Sequence, residues 1–170
     1  MRLEGRARIL GHDVNTDYIV ASSRKKENPD PEFLKRYLLE AVDPTFADSV
    51  RPGDLLVAGR NLGCGSAMEV AAAVIVAAGI RAVVAQSFSR TFFRNAVNNG
   101  LLPIEADTGE IREGDRLEIE AGDPSRVWNR TQDREHVGGR LPEVVLGILR
   151  EGGLVPYFRR RGGFADGPIR

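Results

Sequence analysis

Apolar residues recur along the chain in two rhythms, short solid runs and a three-to-four spacing, and their order predicts an α/β fold. Residues 6–10 read as a short strand with one polar face. Pro31 and Glu32 open a helix carrying Phe33, Leu34, Tyr37, Leu38 and Val42 on one side, with Asp30 as its cap. The Asp43-Pro44 step interrupts that helix, and Phe46 packs inward from a short turn. An Arg51-Pro-Gly-Asp54 turn leads into a central strand ending at Ala58. Residues 67–78, almost wholly Ala and Val, form a helix closed by Gly79, and residues 80–85 form the next strand. Strand, helix and strand make one parallel, right-handed β-α-β unit.

Downstream, Ser89 caps a helix with Phe92, Phe93 and Val97 turned inward and Gly100 at its end. Leu101 to Ile104 is a strand in which Pro103 marks an edge or an irregularity. A second turn, Arg112-Glu-Gly-Asp115, precedes a strand that ends in clean alternation, and residues 126–130 add another. Leu141 to Arg150 is an amphipathic helix stopped by Gly152-Gly153. Beyond Tyr157 the sequence turns basic and glycine-containing, so a domain over 1–157 and a tail over 158–170 are expected.

The stretch between the central strand and the Ala/Val helix stands out: Gly59-Arg-Asn-Leu-Gly63-Cys-Gly65-Ser66-Ala67-Met68-Glu69-Val70. Ser66 and Glu69 have the spacing of a capping box. Unpaired amides at such a helix start favour an anion or a developing negative charge, so this loop reads either as a plain turn or as a substrate site. The upstream turn Asp13-Val-Asn15-Thr16-Asp17 suits side chains that bond their own backbone. Its second reading puts Asp17, and with it His12, on the same cavity as Ser66. The run Arg24-Lys25-Lys26 reads first as solvated surface.

Composition narrows the classes. Acidic and basic residues number 24 each, so no basic excess points to nucleic acid. Cys64 is the single cysteine: it excludes an internal disulfide, cannot build a metal site by itself and fits a reducing compartment. The N-terminus lacks the apolar core of a signal peptide, and the apolar run Val70 to Ala78 is too short to span a bilayer. A cytoplasmic protein is expected.

An ordered set of motifs now carries a resemblance. Asn15-Thr16-Asp17-Tyr18-Ile19, then Gly59 to Ser66, then Gly79-Ile80-Arg81-Ala82-Val83-Val84-Ala85-Gln86-Ser87-Phe88-Ser89, then Phe93-Arg94-Asn95 and Asn99 to Ile104 follow in order over about 105 residues. Together they resemble the small subunit of the isopropylmalate dehydratase and homoaconitase group, equivalent to the swivelling domain of aconitase. The resemblance implies a single swivel-type domain with a barrel-like, mixed β core and α/β crossovers. It also implies a separate large subunit that holds a [4Fe-4S] cluster through three cysteines, this chain binding none alone, and an anionic hydroxy-diacid substrate. Self-association is left open, and neither nucleic acid nor membrane is implied as a partner. By the same resemblance Ser66 is the catalytic base, Asp17 orders the catalytic groups, and Gly65 with the amide of Ala67 holds a substrate carboxylate.

The departures are specific. Where the family continues Gly-Ser-Ser-Arg-Glu-His, this chain has Gly65-Ser66-Ala67-Met68-Glu69-Val70, and Met68 stands where a carboxylate-clamping arginine is expected. After Val20 the usual Pro-Gly-Arg-Tyr-like turn is replaced by Ala21-Ser22-Ser23-Arg24-Lys25-Lys26. One of these cations is expected to restore the missing charge, Arg24 first and Lys26 second. The alternative is a non-catalytic homologue that binds or regulates a cluster-bearing partner.

Overall fold

The computed structural model describes residues 1–162. In chain order the elements are β1 (Arg2–Ile9), α1 (Thr16–Ile19), α2 (Ser22–Glu27), α3 (Pro31–Leu34) with a 3-10 turn over Lys35–Tyr37, α4 (Phe46–Ser49), β2 (Leu55–Ala58), α5 (Glu69–Ala77), β3 (Ala82–Ala85), α6 (Arg90–Asn98), β4 (Leu102–Glu105), β5 (Arg116–Glu120), β6 (Arg126–Asn129), β7 (Arg134–Val137), α7 (Glu143–Arg150) and α8 (Leu154–Arg161). The seven strands form one sheet in the order β4-β3-β2-β1-β5-β6-β7.

β1 is the seam of this sheet. It pairs parallel with β2, Ala7 opposite Leu55, and antiparallel with β5, Gly5 opposite Leu117. On one side, β2, β3 and β4 run parallel. All four residues of β2 and of β3 are buried, as expected of strands covered on both faces. On the other side, β5 alternates, with Leu117 and Ile119 buried and the carboxylates of Glu118 and Glu120 reaching Arg130 and Arg2. The sheet curls into a half-barrel. Gly139, just beyond β7, donates its amide to the carbonyl of Glu105 in β4 at 2.7 Å, so the two edges of the sheet meet there.

The curl separates two cores. One lies under the helices α1, α3, α5 and α6, with Leu34, Leu38, Leu39, Ile75, Ile80 and Phe92 at its centre. The other fills the concave face, where Leu55, Val57, Leu117, Ile119 and Val127 meet Leu146 and Leu149 of α7. The parallel strands thus carry apolar residues on both faces, which fits the solid runs read from the sequence. Pro103 lies in the edge strand β4, where a missing donor leaves no inner ladder bond open.

Two turns with the same chemistry start β2 and β5. Asp54 accepts from the amide of Arg51 at 3.0 Å, and Asp115 from the amide of Arg112 at 2.8 Å. Asp54, 4% exposed, also receives Arg6 in a forked contact (2.8 and 3.2 Å) and Arg8 at 3.3 Å. Burial pushes the Asp54 carboxyl up, but the Arg6 hydrogen bonds, the Arg51 amide and Arg8 outweigh it and hold the group below the ordinary range.

Three expectations differ from the fold, and one strand carries no sequence signal. The helix expected to reach Val42 ends at Leu34, continues as a 3-10 turn, and is broken at Leu39 by a positive φ of 60°. Val42 therefore emerges from the register and is half exposed. β7 has no apolar alternation in Arg-Glu-His-Val, because it is an edge strand with three of four residues exposed, so no pattern in the sequence marks it. The tail boundary at 157 falls inside α8, whose Tyr157 is buried; residues 163–170 of that tail lie outside the described residues. Lastly, α5 starts at Glu69 rather than at Ala67. Among the described residues no helix is long and apolar enough to cross a membrane.

Candidate active site

The loop from Gly59 to Met68 runs past the carboxyl ends of the parallel strands, where open α/β sheets place their ligands. Two short bridges clamp it. Leu62 lies beside Phe88 in the segment after β3, with Leu62 donating to the Ser87 carbonyl at 3.0 Å and accepting from Ser89 at 2.9 Å. Cys64 lies beside Asn15 in the segment after β1, and its carbonyl accepts from Thr16 at 2.9 Å. The Ser89 hydroxyl, which caps α6 by accepting from Phe92, donates to the Gly63 carbonyl at 2.6 Å. Two glycines make this path possible. Gly63 and Gly65 have φ of 76° and 87°, and a side chain on Gly63 would enter the Phe92 ring.

Ser66 does not cap the helix. Its carbonyl accepts from the Thr16 hydroxyl and from the Met68 amide, both at 2.8 Å, while Met68 stays extended (φ −101°, ψ 106°) and holds the N-cap position without a side-chain bond. Glu69 is not turned back to Ser66; it accepts from Asn99. The capping box is therefore replaced by a loop two residues longer. The Ser66 hydroxyl is left free to point outward, and the residue is exposed.

That hydroxyl meets Asp17. Ser66 Oγ lies 3.4 Å from Asp17 Oδ2, across 49 residues of sequence. Asp17 sits in the first turn of α1, capped by Asn15, whose Oδ1 accepts from the Asp17 amide at 2.6 Å. Its other oxygen, Oδ1, accepts from the Ser22 hydroxyl at 2.6 Å and the Ser22 amide at 3.3 Å. The Ser22 hydroxyl does most to hold the Asp17 carboxyl below its ordinary value. Partial burial works against it, and the Ser22 amide and the Ser66 hydroxyl add to the lowering. Asp17 is thus an ionised acceptor aimed at a serine hydroxyl.

The remaining expected residues fall as follows. Gly65 and Ala67 flank Ser66 on the exposed surface. Arg24 is turned to its own neighbourhood: its fork meets Glu40 at 3.0 and 3.2 Å, Glu27 lies 3.7 Å away, and the guanidinium stacks 4.1 Å from the Tyr37 ring centroid. Lys26 is exposed on α2, four residues after Ser22 and so on the same helical side, whereas Arg24 is two residues on. Met68 is buried, and its sulfur lies 3.5 Å from Ser22 Oγ. His12 accepts from the Arg60 amide at 2.9 Å and lines a small cleft with Leu10, Gln86 and Thr108 that does not take in Ser66. Ser22 was missed. Its contact with Asp17 spans a helix break at five residues' separation, which no periodicity marks. The chain's own donors do not fit an iron–sulphur cluster. Cys64 is a single thiol, and among the described residues no three His, Cys, Asp or Glu gather as a metal site.

The half-barrel sheet with a clamped glycine loop at its carboxyl ends defines a class, and comparison with known proteins agrees. Residues 9–109 match the aconitase C-terminal domain, and the chain belongs to that family. Within it, the chain stands with the small subunits of the isopropylmalate dehydratase and homoaconitase group. It is 43% identical to a 3-isopropylmalate dehydratase small subunit 2 of Archaeoglobus fulgidus, over 95% of this chain and 98% of the relative. It is 42% identical to a methanogen homoaconitase small subunit of Methanocaldococcus jannaschii, over 95% and 94%. A crystal structure of 3-isopropylmalate dehydratase from Methanocaldococcus jannaschii superposes with a TM-score of 0.89 at 38% identity, covering 95% of this chain and 96% of the other.

Proposed function

We propose that this chain is the substrate-facing small subunit of a hydro-lyase that moves water across a carbon–carbon bond of an anionic hydroxy-diacid. A separate large subunit carries the [4Fe-4S] cluster, and the pair works in the cytoplasm. The cluster on that partner supplies a Lewis-acid anchor for the substrate's hydroxyl and a carboxylate. The observation that carries the reading is the exposed Ser66 hydroxyl backed by an ionised Asp17.

The chemistry follows from the pair. A serine hydroxyl is a poor base, and a neighbouring carboxylate has the wrong sign to stabilise a free alkoxide. Asp17 instead gives the hydroxyl proton a destination. Ser66 Oγ takes the proton from the carbon next to a carboxylate as its own proton passes to Asp17 Oδ2. The C–H electron pair forms a carbon–carbon double bond as the neighbouring C–O bond breaks. The departing hydroxyl with the proton held at Asp17 completes one water, which the reverse sequence adds back at the other carbon. The 3.4 Å contact is long for that transfer, and docking of substrate and partner over the exposed loop is the step that tightens it. Exclusion of water by the partner then strengthens every electrostatic contact in the site. The amides of Gly65 and Ala67 lie beside Ser66 to hold a substrate carboxylate, and Lys26 replaces the charge absent at Met68.

The second reading, a non-catalytic homologue, is favoured by one observation: Arg24 is committed to Glu40, so the charge absent at Met68 is not restored from there. Anaerobic co-expression with a three-cysteine large subunit, followed by hydration assays across unsaturated diacids, separates the two. Turnover supports the catalytic reading. A stable complex that turns over none of them supports the silent one.

A further inference from the structure

We infer that Ser22 is a positioning residue for the Asp17–Ser66 pair: it occupies one carboxylate oxygen of Asp17 and so presents the other to the Ser66 hydroxyl. The inference rests on the reading of Ser66 as the proton-transfer group. Asp17 has two oxygens and two claims on them. Oδ1 takes both donors of Ser22, the hydroxyl at 2.6 Å and the amide at 3.3 Å, while Oδ2 takes Ser66 at 3.4 Å. A hydroxyl-to-carboxylate distance of 2.6 Å lies in the range of strong charge-assisted bonds.

The Ser22 hydroxyl has one proton and two neighbours. Met68 Sδ, 3.5 Å away, is a weak acceptor, whereas the carboxylate is ionised and closer, so the proton goes to Asp17. Met68 then serves as a buried apolar neighbour of the hydroxyl. This gives Met68 a task in this chain: an arginine there would compete with Ser22 for the same carboxylate. The backbone of Asp17 is fixed separately, by Asn15 accepting its amide at 2.6 Å. What remains for Ser22 to set is the side-chain direction. The groups facing the carboxylate are all neutral: the Ser22 hydroxyl and amide and the Ser66 hydroxyl. Among the described residues no ion pair holds the carboxylate, so Ser22 does most to set its orientation and to keep its titration below the ordinary value.

The test uses the full chain and its assembled complex. In the full chain, the Asp17 side-chain carbon is followed by NMR through an acid titration in wild type, Ser22→Ala and Ser22→Thr. Ser22→Ala is expected to raise the Asp17 titration toward the ordinary carboxylate range, and Ser22→Thr to return it. In the complex, Ser22→Ala is expected to lower kcat by about tenfold, the size of one charge-assisted hydrogen bond, with KM little changed. The acid limb of its kcat–pH profile should move to higher pH, and threonine should restore both. An Asp17 titration that does not move in Ser22→Ala overturns the inference, as does a moved titration with an unmoved acid limb. Ser66→Ala measured alongside keeps the underlying reading separate. If it retains turnover, Ser66 is not the proton-transfer group; if it is inactive while Ser22→Ala behaves as wild type, only the positioning role falls.

Discussion

Placing an alanine at Gly63 and, separately, at Gly65 measures how firmly the loop is tied to the core. Both glycines have left-handed backbone, φ 76° and 87°, so either substitution costs about 1–2 kcal/mol in conformation alone. Their surroundings differ. A Cβ on Gly63 would stand 2.1 Å from Cγ of Phe92, whose ring is 1% exposed and stacks on Phe88. A Cβ on Gly65 meets only the Asn15 amide group, at 3.3 Å. Overpacking at Gly63 therefore adds about 1–3 kcal/mol, for a total of roughly 2–5 kcal/mol against about 1–2 kcal/mol for Gly65→Ala. Urea unfolding of the two variants gives the difference directly. A double variant sharpens it: Phe92→Gly removes both the ring and the Phe92 Cβ, which would lie 2.3 Å from the new methyl, so Gly63→Ala should be about 1–3 kcal/mol less harmful in that background. Equal losses at the two glycines, or strict additivity with Phe92→Gly, would refute the claim that the Phe92 side chain fixes the loop's path.

Three further outcomes are expected. Asp54→Asn takes one of two carboxylate partners from buried Arg8, leaving it Glu113 and the carbonyl and hydroxyl of Ser49, and should lower stability by about 3 kcal/mol, read by urea unfolding at neutral pH. Because the folded carboxyl of Asp54 lies below its unfolded value, its contribution is full above the ordinary carboxylate range and fades as pH falls through the depressed one. Wild-type stability should fall there more steeply than that of Asp54→Asn. In the assembled enzyme, Lys26→Ala should raise KM by about tenfold, one charge-assisted contact, and by more than Arg24→Ala, whose guanidinium is already paired; the reverse order would return the role to Arg24.

The parts legible in the sequence are those where one local cause acts alone. Leu55 to Ala58 and Ala82 to Ala85 read as strands because burial on both faces leaves unbroken apolar runs, and Ser89 read as a cap because its partner, Phe92, lies three residues on. The reasoning failed where tertiary contacts outbid a local pattern. Ser66 and Glu69 have capping-box spacing, yet Thr16 takes the Ser66 carbonyl and the loop runs on to Met68. Arg24 was preferred as the nearest cation to the motif, but Glu40 and Tyr37, brought in by the turn after α3, claim it. Of the two readings open for the Asn15-Thr16-Asp17 turn, both leave a trace: Asn15 bonds the Asp17 amide, and Asp17 lies 3.4 Å from Ser66. The part played by Ser22 was not legible, since its bond to Asp17 joins two short helices across a break that sequence spacing does not mark.

The most direct measurement is single-turnover and steady-state kinetics of Ser66→Ala in the complex with the cluster-bearing subunit. Loss of a proton-transfer group should lower kcat by about 10²–10⁴-fold while substrate binding and complex formation persist. A kcat within a few-fold of wild type in an intact complex would contradict the assignment of the exposed hydroxyl to proton transfer.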